Sequence, residues 1–315
     1  MFLRYGDSHN LNIVLPRTTE MNLFVYLGFE GTIDKNRVMQ IPENETFQIL
    51  CNHAIYNKKI FDEIMGPNTV KIGILREPVS QWTSAAIFYG FTEYLRELLG
   101  EYLDEYQLLS AFLEDPDIYQ DCPHTHNSMF EDLGLHSSDF ENQTAIEKYL
   151  RFLDDDLALV MLMEYFDESL VLMRRMLCWD IKDILYVPLN KNPEKARMQA
   201  NLTSKDKRSL AQYNYPDFQL YIHFKEKFFK KIQESDNSFF SEVEYFQEIR
   251  ETVTDYCRKS KLTDFTQSYE LKIAPSIWNQ AFVVTADECK FMTTEEEDLL
   301  KQLMKKANEK FKNYF

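Results

Sequence analysis

Arg76 and Ser84 stand eight residues apart in the stretch Val70-Lys-Ile-Gly-Ile-Leu-Arg-Glu-Pro-Val-Ser-Gln-Trp-Thr-Ser84. The arginine can bind an anion such as phosphate, because a guanidinium offers paired, charge-assisted hydrogen bonds. Ser80 and Ser84 are four apart, on one face of a helix. A second reactive group is His53, in Cys51-Asn-His53. Imidazole titrates near neutral pH and suits a general base. Glu164 closes an apolar run at 157–163 and is a second candidate base or sugar-binding group, with Tyr165 beside it. Each residue also has a purely structural reading. Arg76 can pair with Glu77 or Asp115, His53 can cap a strand end, and Glu164 can support the N-terminus of the helix that follows. Cys122, His124 and His126 are close in sequence. A four-coordinate metal site needs further ligands at compatible spacing, and none is evident, so no metal is expected.

These side chains need elements to position them. Val70, Ile72, Ile74 and Leu75 form a strand-like run, and Pro78 suits the first turn of a helix. Arg76 then falls where the carboxyl end of a strand meets a helix N-terminus, the place where open α/β sheets bind anions. Further strands are predicted at 11–16, 47–53, 157–163 and 184–187. Helices are predicted at 57–65, 78–90, 92–100, 105–114, 143–154 and about 167–178. Strands 47–53, 70–75, 157–163 and 184–187 are expected as neighbours in one mostly parallel sheet flanked by helices, an α/β fold. The stretch 115–142, rich in Asp, Pro, His and Ser, reads as a long surface excursion. From about residue 204 the chain is mainly helical. Tyr221, Phe224, Phe228 and Ile232 recur at helical spacing with lysines between them, as in a core-facing helix. Thr294-x-x-Glu297 has the capping-box pattern and should open a helix over about 295–312. No repeat or linker divides the sequence, so a single domain over 1–315 is expected.

The chain has 315 residues, 44% of them hydrophobic and 14% aromatic, the composition of a globular protein. Its formal net charge of −16 argues against nucleic acid as a partner. Positive charge for an anionic ligand must be local, as at Arg76. Lys205, Lys207 and Arg208 read as a solvated helix surface. No apolar run has the length of a membrane span. The five cysteines include no C-x-x-C pair, and their odd number fits either redox compartment. Glycan-acceptor triplets begin at Asn44, Asn142 and Asn201.

Several short motifs occur in order: Cys51-Asn-His53, Ile74-Leu-Arg-Glu-Pro78, Asp115-Pro-Asp117, Phe130-Glu-Asp-Leu-Gly134, Glu164-Tyr-Phe-Asp-Glu-Ser-Leu170, Leu177-Cys-Trp179 and Asp183-Ile-Leu-Tyr186. As a set they resemble the galactose-3-O-sulfotransferase family, over about residues 1 to 310. The resemblance implies a sulfotransferase fold related to P-loop nucleotide kinases. It implies transfer of a sulfuryl group from 3′-phosphoadenosine-5′-phosphosulfate to the 3-hydroxyl of galactose on a galactosylceramide-like glycolipid or a glycoprotein. Arg76 and Ser84 match the family's 3′-phosphate contacts. His53 matches its base, with Glu164 and Tyr165 as further acceptor-site candidates. A Golgi membrane location, on the lumenal side, is implied as well. One departure is Ile55, where the family often has an arginine two residues after the histidine. The alternative function is a catalytically inactive glycan- or nucleotide-binding protein that keeps the fold.

The family also carries a 5′-phosphosulfate loop of the type Lys-Thr-x-Ser-Ser-Thr between its first strand and helix. Amides of such a loop cradle the anion and its lysine stabilises the leaving oxygen. This sequence contains no such loop, and Met1 to Leu11 resemble the segment just after it. The expectation is an N-terminally incomplete fold, lacking loop and membrane anchor, with little transfer activity as written.

Overall fold

The computed structural model describes residues 1–17, 26–28, 31–119, 124–189, 201–266 and 269–312. In chain order its elements begin with α1 (Phe2–Ser8), α2 (Lys58–Met65), β1 (Ile72–Leu75), α3 (Pro78–Phe88), α4 (Phe91–Leu99) and α5 (Glu105–Glu114). They continue with α6 (Ser128–Asp132), α7 (Gln143–Asp156), β2 (Leu159–Leu162) and α8 (Phe166–Leu177). Then come α9 (Ser204–Tyr213), α10 (Tyr215–Gln233), α11 (Phe239–Leu262), β3 (Leu271–Ile273), β4 (Phe282–Val284), α12 (Ala286–Thr293) and α13 (Glu296–Phe311). The architecture is helix-rich with two small sheets. The chain forms two compact units. One comprises the described parts of Met1–Thr69, Leu170–Leu189 and Ser235–Phe315, and the other those of Val70–Ser169 and Asn190–Glu234.

The second unit is built on a parallel pair, β1 with β2, in the register Ile72 to Leu159 through Leu75 to Leu162. All four residues of β2 are buried. α3 follows β1 directly. Pro78 occupies its first turn, and Pro78, Val79, Trp82, Thr83, Ala85 and Ala86 form its buried face. Gly90, at φ +74°, adopts the left-handed conformation that turns the chain from α3 into α4. The core here joins Trp82, Phe91, Leu95, Leu109, Phe112 and Leu210. α10 turns Leu220, Tyr221, Phe224, Phe228 and Ile232 inward, as its spacing predicted. Lys205, Lys207 and Arg208 are exposed on α9, again as expected.

In the first unit, Leu3, Ile13, Leu15, Met39 and Ile49 pack with Leu300, Leu303 and Met304 of α13. Cys257 of α11 and Cys289 of α12 are fully buried and form a disulfide, with Cα atoms 5.0 Å apart. Arg4 donates to the carbonyls of Lys182 and Asp183 at 3.2 and 2.6 Å.

Four expectations need correction. The sheet with β1 has two strands among the described residues, not four. Residues 47–53 make a single parallel bridge, Ile13 to Ile49. Beyond it, side chains take the backbone groups: Asn12 N–H donates to Gln48 Oε1, and Leu27 N–H to Asn52 Oδ1. Residues 184–187 form no strand. Within this stretch, Leu185 N–H is taken by a turn bond to the Lys182 carbonyl, and just before it Arg4 holds the carbonyls of Lys182 and Asp183. Thr294 does not cap α13. Its hydroxyl donates backward to the Lys290 carbonyl at 2.7 Å, and the N-cap residue is Glu295. A capping box forms instead at α12, between Thr285 and Glu288.

The last correction concerns 115–142, which is not wholly at the surface. Thr125, Asn127, Ser128, Met129 and Phe130 are buried. α10 provides the reason: Asp217 accepts the amides of Met129 and Phe130 at 3.2 and 2.8 Å, and Asn214 accepts that of Asn127. Cys122 lies outside the described residues.

Candidate functional site

Arg76 sits one residue past β1 and two before α3, at the carboxyl end of a parallel strand as expected. Its guanidinium is half-buried and makes no hydrogen bond or ion pair among the described residues. Neither Glu77 nor Asp115 takes it up. A half-exposed guanidinium without a protein partner is hydrated, and its donors remain available to a ligand. Ser84 lies further along α3 and is half-buried.

The helix N-terminus itself is not open to an anion. Glu77 folds back as its N-cap, accepting the amides of Val79 and Ser80 at 3.1 and 2.8 Å and the Ser80 hydroxyl at 2.9 Å. These are the donors that a bare helix start offers a phosphate. Attraction for an anion at this junction therefore rests on Arg76. This corrects the simple picture of a helix N-terminus cradle.

Glu164 follows β2 in a short 3-10 turn, Met163–Tyr165. One carboxylate oxygen, Oε1, accepts the Glu77 amide at 2.8 Å, and the other, Oε2, accepts the Tyr221 hydroxyl of α10 at 3.2 Å. It does not support α8. Instead it ties the ends of β1 and β2 to α10. Burial, and then the Glu164 charge, push the Tyr221 phenol pKa well above its ordinary value, so this hydroxyl is a firm donor. Tyr165 lies edge-on to Phe229 with centroids 4.9 Å apart. The second unit thus brings Glu164 to the Arg76–Glu77 peptide and turns Tyr165 against α10.

His53 belongs to the first unit. It is exposed and follows the single bridge rather than ending a strand. Its Nε2 is 3.2 Å from Oε2 of Glu296, in the first turn of α13. Its ring meets Tyr26 edge-on at 4.6 Å. A carboxylate on one ring nitrogen orients an imidazole. Cys51, two residues earlier, is inert by comparison, since burial raises its thiol pKa to about 12. Among the described residues, no group of three or more His, Cys, Asp or Glu side chains is arranged to hold a metal ion.

Sequence reasoning missed three participants. Glu77 was weighed only as a partner for Arg76, although Glu-Pro before an apolar helical run is a readable capping signal. Tyr221 was read as a core residue, and its phenol is the one polar group in that buried stripe. Glu296 is 243 residues from His53, and no local pattern joins them.

A model of the galactose-3-O-sulfotransferase family matches residues 1–280. The galactosylceramide sulfotransferases of Bos taurus and Homo sapiens are each 30% identical to the chain, over 242 and 245 residues. Galactose-3-O-sulfotransferase 3 of Homo sapiens is 29% identical over 241 residues. Each alignment covers 74% of this chain and 54%, 54% and 53% of the respective relative. The chain thus spans about half the length of the curated relatives it matches. No solved structure matches it. The chain belongs to the galactose-3-O-sulfotransferase family. Glu296 lies beyond the matched residues.

Proposed function

We propose that this protein is a carbohydrate sulfotransferase. It moves a sulfuryl group from 3′-phosphoadenosine-5′-phosphosulfate to the 3-hydroxyl of a galactose on a glycolipid or glycan. The observation that carries the reading is the guanidinium of Arg76, at the carboxyl end of β1 and without a partner among the described residues, in a chain of this family. Arg76 makes paired charge-assisted bonds to the donor's 3′-phosphate, and Ser84 adds a hydroxyl contact. The donor supplies the sulfuryl group. As the galactose oxygen bonds to sulfur, the bond from sulfur to the donor's 5′-phosphate oxygen breaks and adenosine 3′,5′-bisphosphate leaves, while the hydroxyl proton passes to the imidazole of His53, whose positive charge Glu296 then balances. Glu164 is a positioning group in this reading, because both its oxygens already accept hydrogen bonds, and Tyr165 supports α10.

A P-loop-related sulfotransferase domain over 1–315 is part of the same reading, as is a lumenal Golgi location. The buried Cys257–Cys289 disulfide supports an oxidising compartment. Among the described residues no helix is long and apolar enough to cross a membrane.

Two measurements test the proposal. Calorimetric titration with adenosine 3′,5′-bisphosphate should show binding that Arg76→Ala weakens by about ten- to a hundredfold, the value of a charge-assisted hydrogen bond. With a family 5′-phosphosulfate loop joined to the chain, a sulfate-transfer assay on galactosylceramide and galactose-terminated oligosaccharides should show product sulfated at the 3-hydroxyl. Unchanged affinity in a folded Arg76→Ala variant would overturn the assignment of Arg76. Transfer to another hydroxyl would overturn the acceptor.

A further inference from the structure

We propose that Tyr221 is a positioning residue for the 3′-phosphate site, acting through Glu164 on the peptide that joins Arg76 to Glu77. The inference rests on the donor-binding reading above and deepens it.

The geometry is a relay of three groups from three elements. The Tyr221 hydroxyl on α10 donates to Oε2 of Glu164 at 3.2 Å, and Oε1 of Glu164 accepts the Glu77 amide at 2.8 Å. That amide shares its peptide plane with the Arg76 carbonyl, so fixing it restricts the backbone rotation next to the Arg76 Cα. Glu77 in turn fixes the first turn of α3 by accepting the amides of Val79 and Ser80. Arg76 is the one residue of this junction whose side chain makes no bond among the described residues. The backbone around it is held from both sides, while its guanidinium remains available. A site where one planar guanidinium binds two oxygens of a phosphate gains from this arrangement, because bidentate recognition is lost with small misplacement.

Tyr221 suits the task better than a second carboxylate or a lysine. Its ring is buried and rigid among the apolar residues of α10. Its raised phenol pKa keeps the proton on the donor side. It adds no charge near an anionic ligand.

The test is a double-mutant cycle in the full chain, read by calorimetry with adenosine 3′,5′-bisphosphate and with adenosine 5′-phosphate, which lacks the 3′-phosphate. Tyr221→Phe removes one hydroxyl from a site it otherwise fills. It should weaken the bisphosphate about three- to tenfold, as expected for one hydrogen bond. It should leave adenosine 5′-phosphate unchanged, and it should have no further effect in the Arg76→Ala background. Glu164→Gln keeps an oxygen for the Glu77 amide and should retain bisphosphate affinity within about twofold, whereas Glu164→Ala should lose as much as Tyr221→Phe or more. Thermal unfolding checks that each variant is folded, and the Phe and Gln variants keep the test alive if the Ala variant is not. Equal weakening by Tyr221→Phe with and without Arg76, or of both nucleotides, would overturn the positioning role while leaving the phosphate site standing. If Arg76→Ala itself does not weaken the bisphosphate, the donor-site reading fails, and this inference with it.

Discussion

Arg174 and Arg175 of the first unit and Arg76 of the second are treated in opposite ways. In the first unit Arg174 and Arg175 converge from α8 on Glu242 of α11, which is only 2% exposed. Arg174 pairs with one carboxylate oxygen and also donates to the Trp278 carbonyl at 2.7 Å. Arg175 binds the other oxygen at 2.7 Å, reaches Asp236 and Ser238, and lies over the Phe239 ring. In the second unit Arg76 is half-buried with no partner of this kind among the described residues. The adjacent carboxylates of Glu77 and Glu164 bond to backbone amides instead. Where a guanidinium ties helices together, its donors are used up by the fold. At Arg76 the nearby carboxylates are occupied elsewhere, and no bond among the described residues uses the guanidinium.

The strongest break of this contrast removes the shared carboxylate. Glu242→Ala leaves Arg174 without its carboxylate and Arg175 with only the exposed Asp236 as counter-charge. It should cost about 3–5 kcal/mol of stability, as for other buried pairs stripped of one partner. Urea denaturation measures it. A loss under about 1 kcal/mol, the range of an exposed pair, would mean that solvent reaches Glu242 and that the two arginine sites differ less than their contacts indicate.

Asp217 sharpens the comparison from the carboxylate side. It is buried like Glu242 but receives amides and no guanidinium. Burial raises its pKa to about 7, despite the two amide bonds that oppose the shift. A carboxyl with a raised folded-state pKa holds its proton in the folded state after the unfolded chain has lost it. Its contribution to stability is therefore greatest below the ordinary carboxyl range and declines as pH rises toward 7. The shift corresponds to a decline approaching about 4 kcal/mol. Denaturation of the wild type and Asp217→Asn between pH 4 and 8 should show the wild type losing ground as pH rises. A pH-independent difference between the two would contradict the sign.

Arg76→Ala comes next, with the opposite signature to Glu242→Ala. It should remove about 1.5–3 kcal/mol of affinity for adenosine 3′,5′-bisphosphate. Stability should change by less than about 0.5 kcal/mol, because no internal partner is lost. A large stability loss with unchanged affinity would put Arg76 in the same class as Arg174.

Parts of this contrast were legible in the sequence and parts were not. The helices were, because apolar period and caps are local: α5 runs over Glu105–Glu114 as predicted, and α3 starts at Pro78. The position of Arg76 was legible for the same reason, since a β-branched run followed by Glu-Pro marks a strand-to-helix junction. The sheet was not. Ile184, Leu185 and Val187 are buried, so their apolarity reported burial truthfully, but pairing depends on which backbone groups remain free, and Arg4 is 178 residues away. The Cys257–Cys289 pairing, the Tyr221–Glu164 bond and the Glu296–His53 contact likewise join residues that no spacing rule connects. An arginine in a sequence does not announce whether its donors will be used.

The smallest stability effect belongs to Glu296, and it tests whether an exposed pair can matter for chemistry while mattering little for folding. The side chains of His53 and Glu296 are 62% and 43% exposed. An ion pair this open is worth at most about 1 kcal/mol, and salt screens it. Glu296→Ala should therefore leave the denaturation midpoint nearly unchanged. If His53 receives the galactose proton, its replacement by alanine should lower kcat by about a hundredfold or more with unchanged donor affinity. Glu296→Ala should fall between that variant and the wild type, because the base remains but loses the carboxylate that orients it and balances its charge. The pair then behaves as the inverse of Arg174 and Glu242: little folding energy, and an effect confined to turnover. Sulfate-transfer kinetics on galactosylceramide, in the chain joined to the family loop and with donor binding measured in parallel, decide the matter. Wild-type kcat in both the His53 and Glu296 variants would remove the dyad from the reaction and leave only the donor-site residues with an assigned role.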